Sequence, residues 1–166
     1  FAFPTVYRDQ AKLADATIQQ AEAQKLIVER ELIRDVKQAW YQLQYQNERL
    51  HLLQQQDSLY GRFTRAATIR FKTGETGYLE QATAETRSLG IKTELQQAMA
   101  DQQIAERRLH QLLQAQEPLQ FAEERLSKRE LLLQTDSTAL ATNPYLAFLQ
   151  STTQVAERQK QLEQSR

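Results

Sequence analysis

The feature that most limits how this chain can fold is where it lacks helix breakers. Between Pro4 and Lys72 there is no second proline and a single glycine, Gly61. Pro4 stands where a helix can begin, because the N–H it lacks is not needed in a first turn. The next strong break is Thr73-Gly74-Glu75-Thr76-Gly77. The stretch up to Lys72 therefore reads as one helix of about 68 residues, on the order of 100 Å at the helical rise. Ordinary globular helices run roughly 10–14 residues. A helix this long must lean on other helices along its length.

Apolar spacing agrees. Ile18, Leu32, Ala39, Leu53, Tyr60 and Ala67 share one seven-residue phase, interrupted by Lys25 and Gln46. Val36, Leu43 and Leu50 form a second phase, and Ile33 and Trp40 widen the stripe. Sustained seven-residue spacing predicts coiled-coil-like packing. A second helix is expected from Tyr78 to Ala115. Its stripe is Ala84, Ser88, Ile91, Leu95, Ala98, Gln102, Ala105, Leu109 and Leu112, in alternating steps of four and three. Many of these residues are small or polar, which suits a tight, partly wet interface. Gly90, inside this pattern, should cost about 1 kcal/mol against Ala; it either allows close helix approach or is a tolerated weak point.

Glu117-Pro118 ends the second helix, since the residue before a proline avoids helical geometry. Residues 116–143 read as an irregular join, with a short helix around Leu126 to Leu133. Asn143-Pro144 then sets a capping residue before a proline at the first helical position. A third helix is expected over 144–166. Folding back at Gly74–Glu75 makes facing residues sum to about 149–150, as in any antiparallel αα-hairpin. Ala115 then lies opposite residue 34, and the third helix has the length to cover the first part of the long one. The expected fold is all-α. It is a long antiparallel, coiled-coil-like hairpin in which one helix (4–72) faces two shorter, roughly collinear ones. The parts are a tip turn at 73–77, a returning helix at 78–115, the join and the third helix, together one elongated domain over 1–166.

Composition narrows the function classes. With 4 Gly and 3 Pro in 166 residues, turn signals are far too sparse for a sheet protein, which needs one every ~8–12 residues. The absence of Cys removes disulfides, thiol catalysis and Cys-based zinc sites. Basic and acidic residues balance at 21 each, against the basic excess of a nucleic-acid binder. Gln is abundant, at 26 residues. No run approaches the ~18 apolar residues of a membrane-spanning helix. The opening Phe1-Ala2-Phe3-Pro4 lacks a start Met and a basic n-region, so a mature protein or a cut fragment is expected. The charged ending at Arg158 to Arg166 favours the fragment.

No catalytic, cofactor or metal constellation is expected. His51 and His110, the two histidines, fall some 12 residues apart along the hairpin, roughly 18 Å. Carboxylates such as Glu31 and Asp35 are interleaved with Arg30 and Arg34, and a solvated, ion-paired face explains them. Arg65, Arg70 and Lys72 with Phe71 and Tyr78 are too few for nucleic acid in a neutral chain. The turn is the most specific feature. A Gly-permitted αα-turn capped by Tyr78 and Leu79 is the plain reading. A docking tip is the functional one, since loops on rigid scaffolds carry function.

The turn also carries a resemblance. Phe71-x-x-Gly74 followed by Tyr78-Leu79-Glu80 and an Ala-, Gln- and Leu-rich helix is similar to the TolC-type outer-membrane efflux proteins. Phe1-Ala2-Phe3-Pro4-Thr5-Val6-Tyr7 resembles the passage from barrel strand to periplasmic helix in that family. Ala141-Thr142-Asn143-Pro144-Tyr145-Leu146 resembles the start of its second repeat. The Gly74-Glu75-Thr76-Gly77-Tyr78-Leu79-Glu80 form looks most like the heavy-metal cation efflux branch, which is paired with RND pumps. The resemblance implies a homotrimeric duct on the periplasmic side of the bacterial outer membrane, anchored by barrel strands absent from this chain. It implies an adaptor partner docked at a tip of Phe71, Gly74, Glu75, Thr76, Gly77 and Leu79. Glu80 matches an acidic position near the entrance constriction. Where some members carry Arg two residues after the Gly, this chain has Thr76, so an Arg-based gate is not carried over. Two rival readings are an adaptor hairpin, which would emerge from β-rich flanks, and a cytosolic coiled-coil scaffold without the 116–143 join.

Overall fold

A computed structural model describes residues 4–115 and 143–165 of the chain. Three helices make up the described residues: α1 over Pro4–Lys72, α2 over Tyr78–Leu113 and α3 over Pro144–Gln164. The fold is all-α. The expected join, with its short helix around Leu126 to Leu133, lies outside the described residues. No described helix is long and apolar enough to cross a membrane.

The helix limits follow from local chemistry. α1 has 69 residues and begins at Pro4, as the breaker pattern predicts. Its C-terminus closes in a Schellman motif. The Glu75 N–H donates to the Arg70 carbonyl at 2.9 Å and the Gly74 N–H to the Phe71 carbonyl at 3.1 Å. Gly74 takes the left-handed conformation this requires, with φ +76°. α2 ends in the same way without a glycine. Gln114 sits at φ 50°, and the Ala115 N–H donates to the His110 carbonyl at 3.2 Å. α3 starts on Asn143, whose side chain accepts the Tyr145 N–H at 3.0 Å.

The chain divides into two compact units, residues 1–34 with 130–166 and residues 35–129. In the second, α2 returns antiparallel along α1. A small core of Ala39, Leu43, Ala105 and Leu109 is flanked by Val36, Trp40 and Leu112. Leu43 and Leu109 are its two fully buried large side chains. Toward the tip Leu53 is the one large apolar residue buried on α1, and the rest of the seam is small: Ala67 on α1, and Ala84, Ser88 and Ala98 on α2 are buried. The α2 stripe read from the sequence is thus the inward face. Thr64 Oγ1 crosses the interface to donate to the Ala84 carbonyl at 3.1 Å, and Arg49 Nη1 meets Asp101 Oδ2 at 3.0 Å. These pairs carry the register expected from folding at Gly74–Glu75.

At Gly90 the structure decides between the two alternatives. It is exposed, and a Cβ placed on it would meet nothing within 4 Å. It does not serve close approach. Gly90→Ala should therefore stabilise the chain by about 0.5–1 kcal/mol, by removing backbone freedom from the unfolded state at no steric cost. Urea denaturation followed by circular dichroism checks this, and an unchanged midpoint would refute it.

In the first unit α1 packs on α3. Val6, Ala16, Ala23 and Ile27 of α1 are buried, with Ser151 and Leu162 of α3. Gln20 Nε2 donates to Thr152 Oγ1 at 2.9 Å, and the Tyr145 hydroxyl donates to Glu31 Oε1. That hydrogen bond to the carboxylate, with smaller contributions, raises the Tyr145 pKa above the usual tyrosine range. Here the heptad reading fails: Ile18, Leu32 and Ile33 are about half exposed. The buried positions 16, 23 and 27 stand off the phase that continues back from Ala39. Apolar residues occur on more than one side of α1, and the helix buries whichever side its partner covers.

Candidate functional site: the hairpin tip

The tip is built by two helix ends. α1 stops because Gly74 adopts a left-handed conformation and α2 starts at Tyr78, with Gly77 as a capping residue that offers no side-chain bond. Three residues of turn remain between Gly74 and Tyr78, so the ends face each other closely. Phe71 and Tyr78 meet edge to face, with ring centroids 5.9 Å apart and an interplanar angle of 62°. Arg70 Nη1 and Glu80 Oε1 approach to 4.0 Å. Each also suits its helix end, a cation at the C-terminus of α1 and an acid in the first turn of α2. Both are well exposed, so the pair itself adds little stability.

The expected docking residues are together on this one surface. Leu79 is 79% exposed and Tyr78 69%, a large apolar area for so short a segment. Phe71, in ring contact with Tyr78, is 38% exposed. Gly74, Glu75 and Gly77 are exposed, while Thr76 is half-buried. The Thr76 hydroxyl oxygen is buried with no hydrogen-bond partner among the described residues. Glu80 is exposed beside them.

Away from the tip, the histidines lie apart. His51 is exposed and contacts Gln55 within its own helix, and His110 Nδ1 lies 3.3 Å from the Ala115 carbonyl oxygen. Among the described residues, no group of three or more His, Asp or Glu gathers in metal-binding geometry. The element that residue-type scanning missed is the Arg49–Asp101 pair. Asp101 also accepts from Gln97 Nε2 at 2.9 Å, so both its oxygens are engaged. The hairpin register would have found it, since residue 49 falls opposite residue 101. Both side chains are partly buried. Arg49→Gln and Asp101→Asn should each cost about 1 kcal/mol, and the double variant clearly less than the sum of the two. Additive losses in a double-mutant cycle would show that the pair is not coupled.

The geometry is a long helix pair ending in a short turn that exposes Tyr78 and Leu79. The family model of the outer membrane efflux proteins matches residues 6–115, well over half of the chain. The chain belongs to this family. No curated protein and no solved structure shows significant similarity to it. The matched region takes in nearly all of α1, the tip and the whole of α2, so the features above are features of a family member. This is a family of transport channels, not of enzymes, and it places the full-length protein at the outer membrane and periplasm.

Proposed function

We propose that residues 1–166 form one periplasmic domain of an outer-membrane efflux duct and that the tip docks a periplasmic adaptor. The observation that carries this is the exposure of Leu79 and Tyr78 on a turn fixed by Gly74 in a member of the outer membrane efflux family. A large apolar area held on a rigid turn is what a protein partner can cover with little loss of entropy. In this reading three copies of the full-length protein build the duct, with the outer membrane crossed by barrel strands. Phe71, Gly74, Glu75, Thr76, Gly77 and Leu79 form the docking surface, and Glu80 stands near the entrance constriction. The energy comes from an inner-membrane pump of the RND type. Heavy-metal cations are the proposed cargo, on the form of the 74–80 tip segment. The helices act passively: their neutral polar residues, rich in Gln, wall a wet conduit.

The test is site-directed crosslinking in cells. A photoreactive residue replacing Glu75 in the full-length protein should capture one adaptor. The same residue at exposed Gln97, well up α2, should not. Equal capture from both positions, or none from either, would overturn the docking reading. Deletion of the full-length protein should sensitise cells to heavy-metal cations, and unchanged tolerance would remove the cargo assignment.

A further inference from the structure

Residues 58–74 contain four cations, Arg62, Arg65, Arg70 and Lys72, and no carboxylate, in a chain whose net charge is zero. Arg70 is the one with a partner, Glu80. Arg62, Arg65 and Lys72 are exposed and make no ion pair among the described residues. They share a face with Ile69, which is 63% exposed. That face is turned from α2. Arg62 stands two residues from Thr64, which bonds across to α2, and Arg65 and Ile69 each stand two from buried Ala67. Two residues are about 200° around a helix.

We propose that the docking surface extends up α1 along Arg62, Arg65, Ile69 and Lys72, and that it receives a carboxylate-bearing helix of the adaptor. The inference rests on the docking reading above and deepens it. The steps 62, 65, 69, 72 are three, four and three, the spacing of a seam along which a second helix lies. Ile69 supplies an apolar knob within the row, and the cations flank it. A cationic row whose three members make no ion pair among the described residues favours an acidic counterpart and repels a basic one. The row is about 15 Å long and one residue wide, with Ile69 its one apolar member; exposed Leu59 and Phe63 lie to one side of it. A lipid surface would need a broader apolar face flanked by cations. A nucleic acid would need a chain with a basic excess.

The experiment uses the purified full-length channel and the adaptor identified by crosslinking at position 75. Binding is titrated at about 0.05 M and about 0.5 M salt, which shortens the screening length several-fold. The wild type should bind more weakly at high salt. Arg62→Gln/Arg65→Gln/Lys72→Gln should lose about tenfold or more of the affinity at low salt and lose most of the salt dependence. Lys92→Gln/Arg107→Gln, on exposed positions of α2, should bind as the wild type does. Unchanged circular dichroism and melting of the triple variant separate a docking loss from misfolding. A triple variant that binds like the wild type at both salts overturns the extended surface and leaves tip docking standing. Absence of any adaptor binding by the wild type overturns both. Binding to anionic lipid vesicles or to an oligonucleotide that the triple variant alone loses, with adaptor affinity unchanged, also overturns it.

Discussion

Leu109→Ala is expected to destabilise the chain by about 3 kcal/mol, and Leu43→Ala by a similar amount. The expectation comes from how little core there is. Ala39, Leu43, Ala105 and Leu109 form the cluster, and only the two leucines are both large and fully buried. Removing either takes away apolar burial and leaves a void between two long helices, which can close only by shifting along much of their length. Because the two side chains share one cluster, the double variant should lose less than the sum. Leu89→Ala is the control: Leu89 lies on the same helix pair at 66% exposure, and its loss should fall within about 0.5 kcal/mol. Urea denaturation followed at the helical circular-dichroism band reads all four variants. A loss below about 1 kcal/mol for Leu109→Ala would show that the cluster does not hold the hairpin together.

Gly74→Val has the second large effect, and the cause is the backbone. A Cβ at position 74 meets nothing within 4 Å, so no clash is involved. The cost arises from φ +76°, a left-handed conformation that disfavours side chains and β-branched ones most. The Schellman closure of α1 depends on that conformation, and so does the facing of Phe71 on Tyr78. Gly74→Val should cost about 1–2 kcal/mol or more of stability. In the full-length protein it should also abolish adaptor capture from position 75 and impair efflux. Gly74→Asn should keep both, because Asn tolerates the left-handed region. A Val variant with unchanged efflux would refute the role of tip geometry in docking. An Asn variant as damaged as the Val one would show that something other than φ is at stake.

Both cases bear on how far the sequence can be read. The tip was legible because its chemistry is local: one glycine supplies the left-handed position, and the chain must turn where it sits. The α2 face was legible because small and apolar residues recur along it in unbroken steps of four and three from Ala84 to Leu112, even though Leu89, Met99 and Ile104 stand exposed elsewhere on the helix. The Arg49–Asp101 pair was within reach once the fold-back point set the register. The unpaired row at Arg62, Arg65 and Lys72 was visible as charge but not as a surface. Its meaning needs the knowledge that α2 packs on the opposite side of α1.

Taken by itself, the sequence determined the limits of the three described helices to within about two residues, the place of the hairpin turn and the all-α class. These depend on breakers, caps and periodicity, which act over a few residues. Tertiary structure alone decided which side of residues 4–34 is buried. Ile18 and Leu32 continue the apolar phase and Ile33 widens it, yet Ala16, Ala23 and Ile27 are the residues covered. A helix with apolar residues on several sides has several faces of similar hydrophobicity, and the partner that reaches one of them makes the choice. The same holds for Gly90. Its place between the stripe residues Ser88 and Ile91 left close packing and a tolerated weak point both open, and only the position of the neighbouring helix showed open space around it.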